Sequence, residues 1–251
     1  MQKVDFEIQL PKIENARNLP IHEEFFWLNQ NGTKRKLRLH DYVEVYKIPY
    51  LYEHLMEELD SQSHKVLTSL LVEQFTQASG TVEDMVVLDV GAGSGLVGQT
   101  LASLGVKSIV GIDIIPEAAQ AADKQYPGIY ENYYVEDLAN LTEITKQALN
   151  LRGCNSLICC SALSKGHVPG DAFGVVFNQI APNGLIAFNV AQYLWKDNTK
   201  AGFRHQHSWV ENQDVFEIKQ MHHYRHRFYM DGRPLEYLAI VGRKRCNFLE
   251  S

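Results

Sequence analysis

Between residues 85 and 189, short apolar runs alternate with segments whose apolar positions recur every three or four residues. Val86, Val87, Leu88 and Val90 form the first run, a pattern that predicts a strand buried on both faces. Leu96, Val97, Leu101 and Leu104 follow at helical spacing, and Gly105 stops them. The same rhythm predicts strands at 85–90, 108–112, 130–135, 155–161 and 184–189. Helices are predicted at 96–104, 116–125, about 140–150 and 170–180. Strands alternating with helices imply a parallel sheet with helices on both faces. After Asn189 the rhythm changes. Residues 215–229 and 235–243 read as two strands around an Asp231-Gly232 turn, an antiparallel hairpin.

The N-terminal part is patterned differently. Residues 1–20 are mixed, contain Pro11 and Pro20, and predict an irregular arm. Phe25 to Leu28 and the alternating basic and apolar run Lys34 to Leu39 flank Asn31-Gly32, a hairpin signal. The basic side chains of that second run fit the solvated face of an edge strand. Residues 40–59 crowd Tyr42, Tyr46, Tyr50 and Tyr52 into one stretch. Ser63 is placed to cap a helix carrying Val66, Leu67, Leu70, Leu71 and Phe75, which Ser79-Gly80 ends. The chain therefore divides into an extension at 1–60 and a main domain at 61–251.

Composition narrows the class. At 251 residues, 45% hydrophobic and 22% charged, the chain can bury a sizeable core. A net charge of −6 argues against a surface built for polyanions, so nucleic acid is not an expected partner. No apolar run approaches the length of a membrane span and no signal-peptide core is present, so a cytoplasmic protein is expected. Cys154, Cys159, Cys160 and Cys246 have no C-x-x-C spacing and read as reduced thiols. His205, His207, His222, His223 and His226 gather near the end. No carboxylate or cysteine completes a ligand spacing with them, and no metal is assigned. Nothing indicates an oligomer.

The chemistry starts at the first strand's end. Gly91, Gly93 and Gly95 let the backbone turn sharply and a ligand approach it closely. The helix behind the turn offers free N–H groups. Asp113 ends the next apolar run about 20 residues on, where a carboxylate can accept both hydroxyls of a ribose. Gly93, Gly95 and Gly98 also fit G-x-G-x-x-G, a dinucleotide pattern. Asp89 stands against that reading. Two residues before Gly91, its carboxylate would repel a pyrophosphate and attract a cationic amine or sulfonium.

The string LDVGAGSG with the later GID, Gly111 to Asp113, resembles the first two motifs of the class I S-adenosylmethionine-dependent methyltransferases. The resemblance runs from about Met85 to Asn189 and more weakly to Arg243. It implies an α/β fold: a doubly wound, Rossmann-like, seven-stranded and mostly parallel sheet, closed by an antiparallel C-terminal hairpin. An N-terminal hairpin and helical lid would precede it. The implied cofactor is S-adenosylmethionine, released as S-adenosylhomocysteine. Gly91, Ala92 and Gly93 would wrap its methionine part, Asp89 its amino end, Asp113 its ribose, and Ile114 the adenine face. Tyr134 to Leu138 resembles the third motif, with Asp137 and the Leu138 N–H at the adenine edge. Glu136 is the alternative to Asp137. Ser161 would line the cofactor sulfur.

The acceptor side is read partly by exclusion. The Asn/Asp-Pro-Pro-aromatic box of amino-group methyltransferases is absent after the fourth strand, and Cys160 follows Cys159 rather than proline. Both cysteines read as packing residues. The G-H-V-P at Gly166 to Pro169 resembles a box of the Williams–Beuren region type methyltransferases, which act on small molecules. His167 there is a candidate general base, or a loop histidine bonding backbone. Tyr42 and Tyr46 either cover the cofactor or pack a core, and Trp195 either covers the acceptor pocket or packs beneath its loop. The expected activity is methyl transfer to an oxygen, nitrogen or sulfur atom of a small-molecule acceptor. A protein side-chain methyltransferase, a non-catalytic nucleotide-binding module and an NAD(P)-dependent oxidoreductase are the alternatives.

Overall fold

A computed structural model of the chain describes residues 4–163, 168–200 and 202–248. The N-terminal part comprises β1 (Phe6–Gln9), α1 (Ile13–Ala16), β2 (Phe25–Gln30), β3 (Thr33–Arg38), α2 (Tyr42–Tyr46) and α3 (Leu51–Glu58). The long α4 (Ser63–Ser79) leads into β4 (Val86–Val90), α5 (Leu96–Ser103), β5 (Ser108–Asp113) and α6 (Pro116–Gln125). Then come β6 (Asn132–Val135), α7 (Glu143–Arg152), β7 (Ser156–Cys159), α8 (Gly170–Asn178) and β8 (Leu185–Ala191). Two short helices, α9 (Gln192–Lys196) and α10 (Phe203–Gln206), precede β9 (Phe216–Phe228) and β10 (Pro234–Lys244).

The large sheet has seven strands in the order β6-β5-β4-β7-β8-β10-β9, and the expected doubly wound sheet is found. Pairings from β6 to β8 are parallel, while β10 runs antiparallel to both β8 and β9. Alternation along β4 explains the two layers. Leu88 and Val90 join a core with α7 and α8 through Leu149, Phe173 and Phe177. Val87 faces the opposite way, with Leu67, Leu71 and Phe75 of α4 and Val97 and Leu101 of α5. Strand order reverses between β4 and β7, so their carboxyl ends part and leave a crevice.

The N-terminal part forms its own antiparallel sheet, β1-β2-β3. Asn31 and Gly32 both have positive φ, 51° and 74°, the turn that matches strand twist. The irregular arm is only partly so. Residues 6–9 alternate apolar and polar and pair with β2, Phe6 opposite Gln30 and Gln9 opposite Trp27. A four-residue alternation followed by a proline is a weak signal, and an open edge of β2 decides it. The helices α2 and α3 close a third core of Phe26, Leu28, Leu51 and Leu55, which Met230 of the β9–β10 turn enters. A buried ion pair fastens this cap to the hairpin. Arg227 Nη2 lies 2.5 Å from Glu24 Oε2, and the Met230 N–H donates to Glu24 Oε1 at 2.9 Å.

Candidate active site

The glycine turn leaves β4 at the crevice. Gly91 and Gly93 have φ of 69° and 55°. A Cβ on Gly91 would lie 2.7 Å from the Ala162 Cβ, and one on Gly93 would lie 2.8 Å from the Tyr46 hydroxyl oxygen. Neither position has room for a side chain, and neither backbone conformation suits one. The Gly91 and Ala92 N–H groups donate to the Ile112 carbonyl, at 2.9 and 3.1 Å, which ties the turn to the neighbouring strand.

Two carboxylates sit at this bend. Asp113 ends β5. It accepts from the Gly93 N–H (2.9 Å, Oδ2) and the Ile115 N–H (3.0 Å, Oδ1). Each oxygen keeps a lone pair for a further donor. Burial raises the Asp113 carboxyl and those backbone donors partly offset it. Asp89, two residues along from Val87 on the same face of β4, is fully buried. Its Oδ2 accepts from the Tyr130 hydroxyl at 2.7 Å, but its Oδ1 has no partner. Burial pushes its carboxyl up to about 7, Tyr130 opposing and Asp113 adding a smaller push. A buried carboxylate oxygen without a donor is costly, and Glu53 Oε2 beside the same turn is also without a partner.

A cavity of about 50 Å³ lies against the turn. Gly91, Ala92 and Gly93 form one wall. Tyr46, Tyr52 and Met56 of the cap form another, and Ser63, His64, Cys160, Ser161 and His226 the third. Tyr46 stacks on Tyr42 (5.8 Å) and meets Tyr52 edge-on (5.5 Å). That volume holds a few waters, so a larger ligand enters only when the tyrosine wall shifts. The cap also reaches the turn from behind. Ser94 donates to Glu53 Oε1 at 2.5 Å, and burial raises the Glu53 carboxyl.

The remaining expected residues are placed as follows. Ile114 stands beside Asp113 with 62% of its surface exposed, an apolar face at the rim. Asp137 is exposed and accepts from the Ala139 N–H (2.9 Å) and Asn140 Nδ2 (2.8 Å), starting the turn that buries Leu138. Glu136 is held by Thr142 and Thr145 at the start of α7. Ser161 turns the chain at the end of β7 with φ 61° and lines the cavity. That positive φ is why the strand expected over 155–161 ends at Cys159. Trp195 lies away from the cavity wall. It packs on Phe203 (5.9 Å) beneath the Arg204 guanidinium (4.8 Å), next to a buried group of Phe173, Phe188, His207 and Trp209. His167 lies outside the described residues. Among the described residues no three His, Cys, Asp or Glu side chains are grouped to hold a metal, and no helix is long and apolar enough to cross a membrane.

Apart from Ser161, the residues of the third wall and those bonded behind it were not expected from the sequence. Asn189 of β8 is buried and accepts from the Ser161 N–H (2.6 Å) through Oδ1. Its Nδ2 donates to the Tyr224 hydroxyl (2.7 Å) and Ser63 Oγ (3.1 Å). Ser63 Oγ lies 2.6 Å from both the Tyr224 hydroxyl and His226 Nδ1. Ser63 is therefore not the cap of α4. Gln62 occupies that position without a side-chain bond to the helix, and the serine hydroxyl is spent on β9 instead. One signal was present: Asn189 is the single polar residue in the apolar run LIAFNVA.

A family profile described as a methyltransferase domain matches residues 81–230. Among solved structures, the magnesium protoporphyrin IX methyltransferase of Synechocystis with bound S-adenosylmethionine is similar at 18% identity and TM-score 0.51. The match covers 73% of this chain and 78% of that one. A candidate RNA methyltransferase from Pyrococcus horikoshii is similar at 13% identity and TM-score 0.50, with 70% and 82% covered. The type IIG restriction endonuclease BpuSI is similar at 15% identity and TM-score 0.54, where the match spans 74% of this chain and 25% of that one. At these identities the likeness is one of fold. No curated protein matches the sequence.

Proposed function

The chain belongs to the methyltransferase-domain family, and from that premise we propose that it methylates an oxygen, nitrogen or sulfur atom of a small molecule, with S-adenosylmethionine as donor. The observation that carries the reading is the unpartnered, buried Asp89 Oδ1 beneath a glycine cradle that a single Cβ would fill. A cationic α-ammonium group satisfies that oxygen, directly or through one water, whereas a diphosphate would be repelled by it.

The assignment of residues to the parts of the cofactor follows the bend. The Gly91–Gly93 backbone would hold the methionine part, with Asp89 at its ammonium group. Asp113 would accept the ribose hydroxyls on its two remaining lone pairs. Exposed Ile114 would cover one face of the adenine, with Asp137 and the Leu138 N–H at its edge. When bound, S-adenosylmethionine supplies an electrophilic methyl on a good leaving group. The chain's own part is then orientation and exclusion of water, which account for much of the acceleration in such displacements. Tyr46 and Tyr52 would exclude the water, and Cys160 and Ser161 would border the reacting centre. Burial pushes the Cys160 thiol up to about 12, so it stays protonated and does not compete as a nucleophile. His167 is the proposed base for an acceptor that must lose a proton.

A small-molecule acceptor is favoured by the small size of the cavity beside the cap and by the net charge of −6. Fold alone does not choose an acceptor. The test uses S-adenosylmethionine labelled in the methyl group, incubated with the protein and separately with metabolites, proteins and RNA. Label in the low-mass fraction supports the proposal. Label in protein or RNA alone, or in none of the three, overturns it.

A further inference from the structure

The polar group on the third wall has a direction. The Ser161 N–H can only donate, so the Asn189 amide is oriented with Oδ1 toward it and Nδ2 toward Tyr224 and Ser63. The Tyr224 oxygen thus already accepts one bond. Its proton has one remaining close partner, Ser63 Oγ at 2.6 Å. Ser63 then accepts from Asn189 and Tyr224, and its own proton goes to His226 Nδ1, also 2.6 Å away. The reverse order would leave the buried Tyr224 proton without an acceptor. The chain of donors runs one way, from the turn after β7 through β8, Tyr224 of β9 and Ser63 of α4 to His226, an imidazole whose Nδ1 is filled.

We propose that His226 is held as its Nε2–H tautomer and is a hydrogen-bond donor to the methyl acceptor, selecting an uncharged molecule that presents an oxygen or ring-nitrogen lone pair. Naming that molecule the methyl acceptor rests on the methyltransferase reading; the tautomer does not. His226 lines the cavity and is stacked on Tyr237 of β10, ring centroids 4.2 Å apart, which fixes the plane of the ring. The groups that face it are Arg225 and Arg227 on its own strand and His64 from α4. Burial first, then those neighbours, holds the His226 imidazole well below its ordinary range, and burial takes His64 down to about 4. Both histidines on this wall are neutral at pH 7, as is Cys160. The opposite wall is Tyr46, Tyr52 and Met56. An uncharged, partly apolar molecule matches such walls; Arg225 and Arg227 are already paired with Asp60 and Glu24, so a carboxylate would shed its hydration with no free cation to meet it, and an ammonium would meet the Nε2–H donor and neutral histidines.

The experiment is long-range proton–nitrogen correlation NMR on the full chain with labelled histidine, between pH 6 and 8. The expected result is His226 with a bare Nδ1 and a protonated Nε2 throughout. An Nδ1–H tautomer or an imidazolium at pH 7 overturns the proposal. Ser63→Ala removes the donor to Nδ1 and is expected to give a mixture of tautomers. Binding is read with S-adenosylhomocysteine present and three probes: acetophenone, benzoate and benzylammonium. Acetophenone is expected to shift the His226 Nε2 resonance and to bind at least tenfold tighter than either ion. A tighter charged probe overturns the selection. His226→Phe keeps the stack on Tyr237 and is expected to lose the preference, and His226→Gln, which retains a donor, to keep most of it. Shifts of the Gly91–Gly95 amides with S-adenosylhomocysteine report the cofactor reading separately. Absence of those shifts beside an intact Nε2–H signal would sink that reading and leave the tautomer standing.

Discussion

Asp89 makes cofactor binding depend on pH in a way that can be worked out beforehand. With a carboxyl pushed up to about 7 by burial, the free protein carries a proton on Asp89 in mildly acidic solution. A cationic amine binds the carboxylate, so binding below pH 7 must release that proton. Linkage then gives an affinity that falls toward tenfold per pH unit below about 7, reaching roughly 30-fold, or about 2 kcal/mol, at pH 5.5. Above pH 8 the curve levels. The same group affects folding with a definite sign. Its folded pKa lies above its unfolded value near 4, so its stabilising contribution is complete below about pH 4. It is lost as pH rises toward 7, at most about 4 kcal/mol over some three units. Asp113 and Glu53 are raised by burial too and add the same sign. The difference between the wild type and Asp89→Asn isolates the one residue. Calorimetric titration with S-adenosylhomocysteine, in two buffers of unlike ionisation enthalpy, reads both affinity and protons released. An affinity that stays flat between pH 5.5 and 8, or an Asn variant with the wild-type slope, would refute the assignment of Asp89 to the ammonium group.

Other outcomes follow from particular contacts. Asp113→Ala should weaken S-adenosylhomocysteine by about 1–3 kcal/mol, the range for a charged acceptor, and unchanged affinity would remove the ribose assignment. Gly91→Ala places a Cβ 2.7 Å from the Ala162 Cβ at a φ of 69°. Chemical denaturation should show a loss of about 1–3 kcal/mol together with weakened cofactor binding; a silent variant would mean the bend is not a tight cradle. Glu24→Ala strands the Arg227 guanidinium, which is 3% exposed, and should cost about 3–5 kcal/mol in urea titration. A loss under 1 kcal/mol would show that the cap is not fastened to the hairpin through this pair.

The sheet was legible because its central strands are buried on both faces. Runs such as Val86 to Val90 and Leu185 to Ala191 stand out as apolar, and proline at 116 marks where a helix starts. The glycine turn and the two aspartates were legible for a related reason: backbone geometry and a nearby charge constrain residue type locally. Apart from Ser161, the third wall and the network behind it were not, since their members come from residues 63, 160–161, 189 and 224–226, and only the fold brings them together. Ser63 shows how local rules are overridden. A serine at the start of an apolar helix reads as a cap, but two partners 2.6 Å away on β9 take its hydroxyl. Trp195 was open to two readings. An aromatic after the last parallel strand suits a pocket mouth or a core, and the structure shows it packed on Phe203 at the edge of an aromatic group.

A carboxylate under the glycine bend selects a ligand with a cationic amino group over a dinucleotide. Side-by-side calorimetry of S-adenosylhomocysteine and NADH at pH 7.5 addresses this selection most directly. Saturable binding of S-adenosylhomocysteine in the micromolar range and no heat from NADH are expected. Binding of NADH at comparable affinity, or of neither, would contradict it.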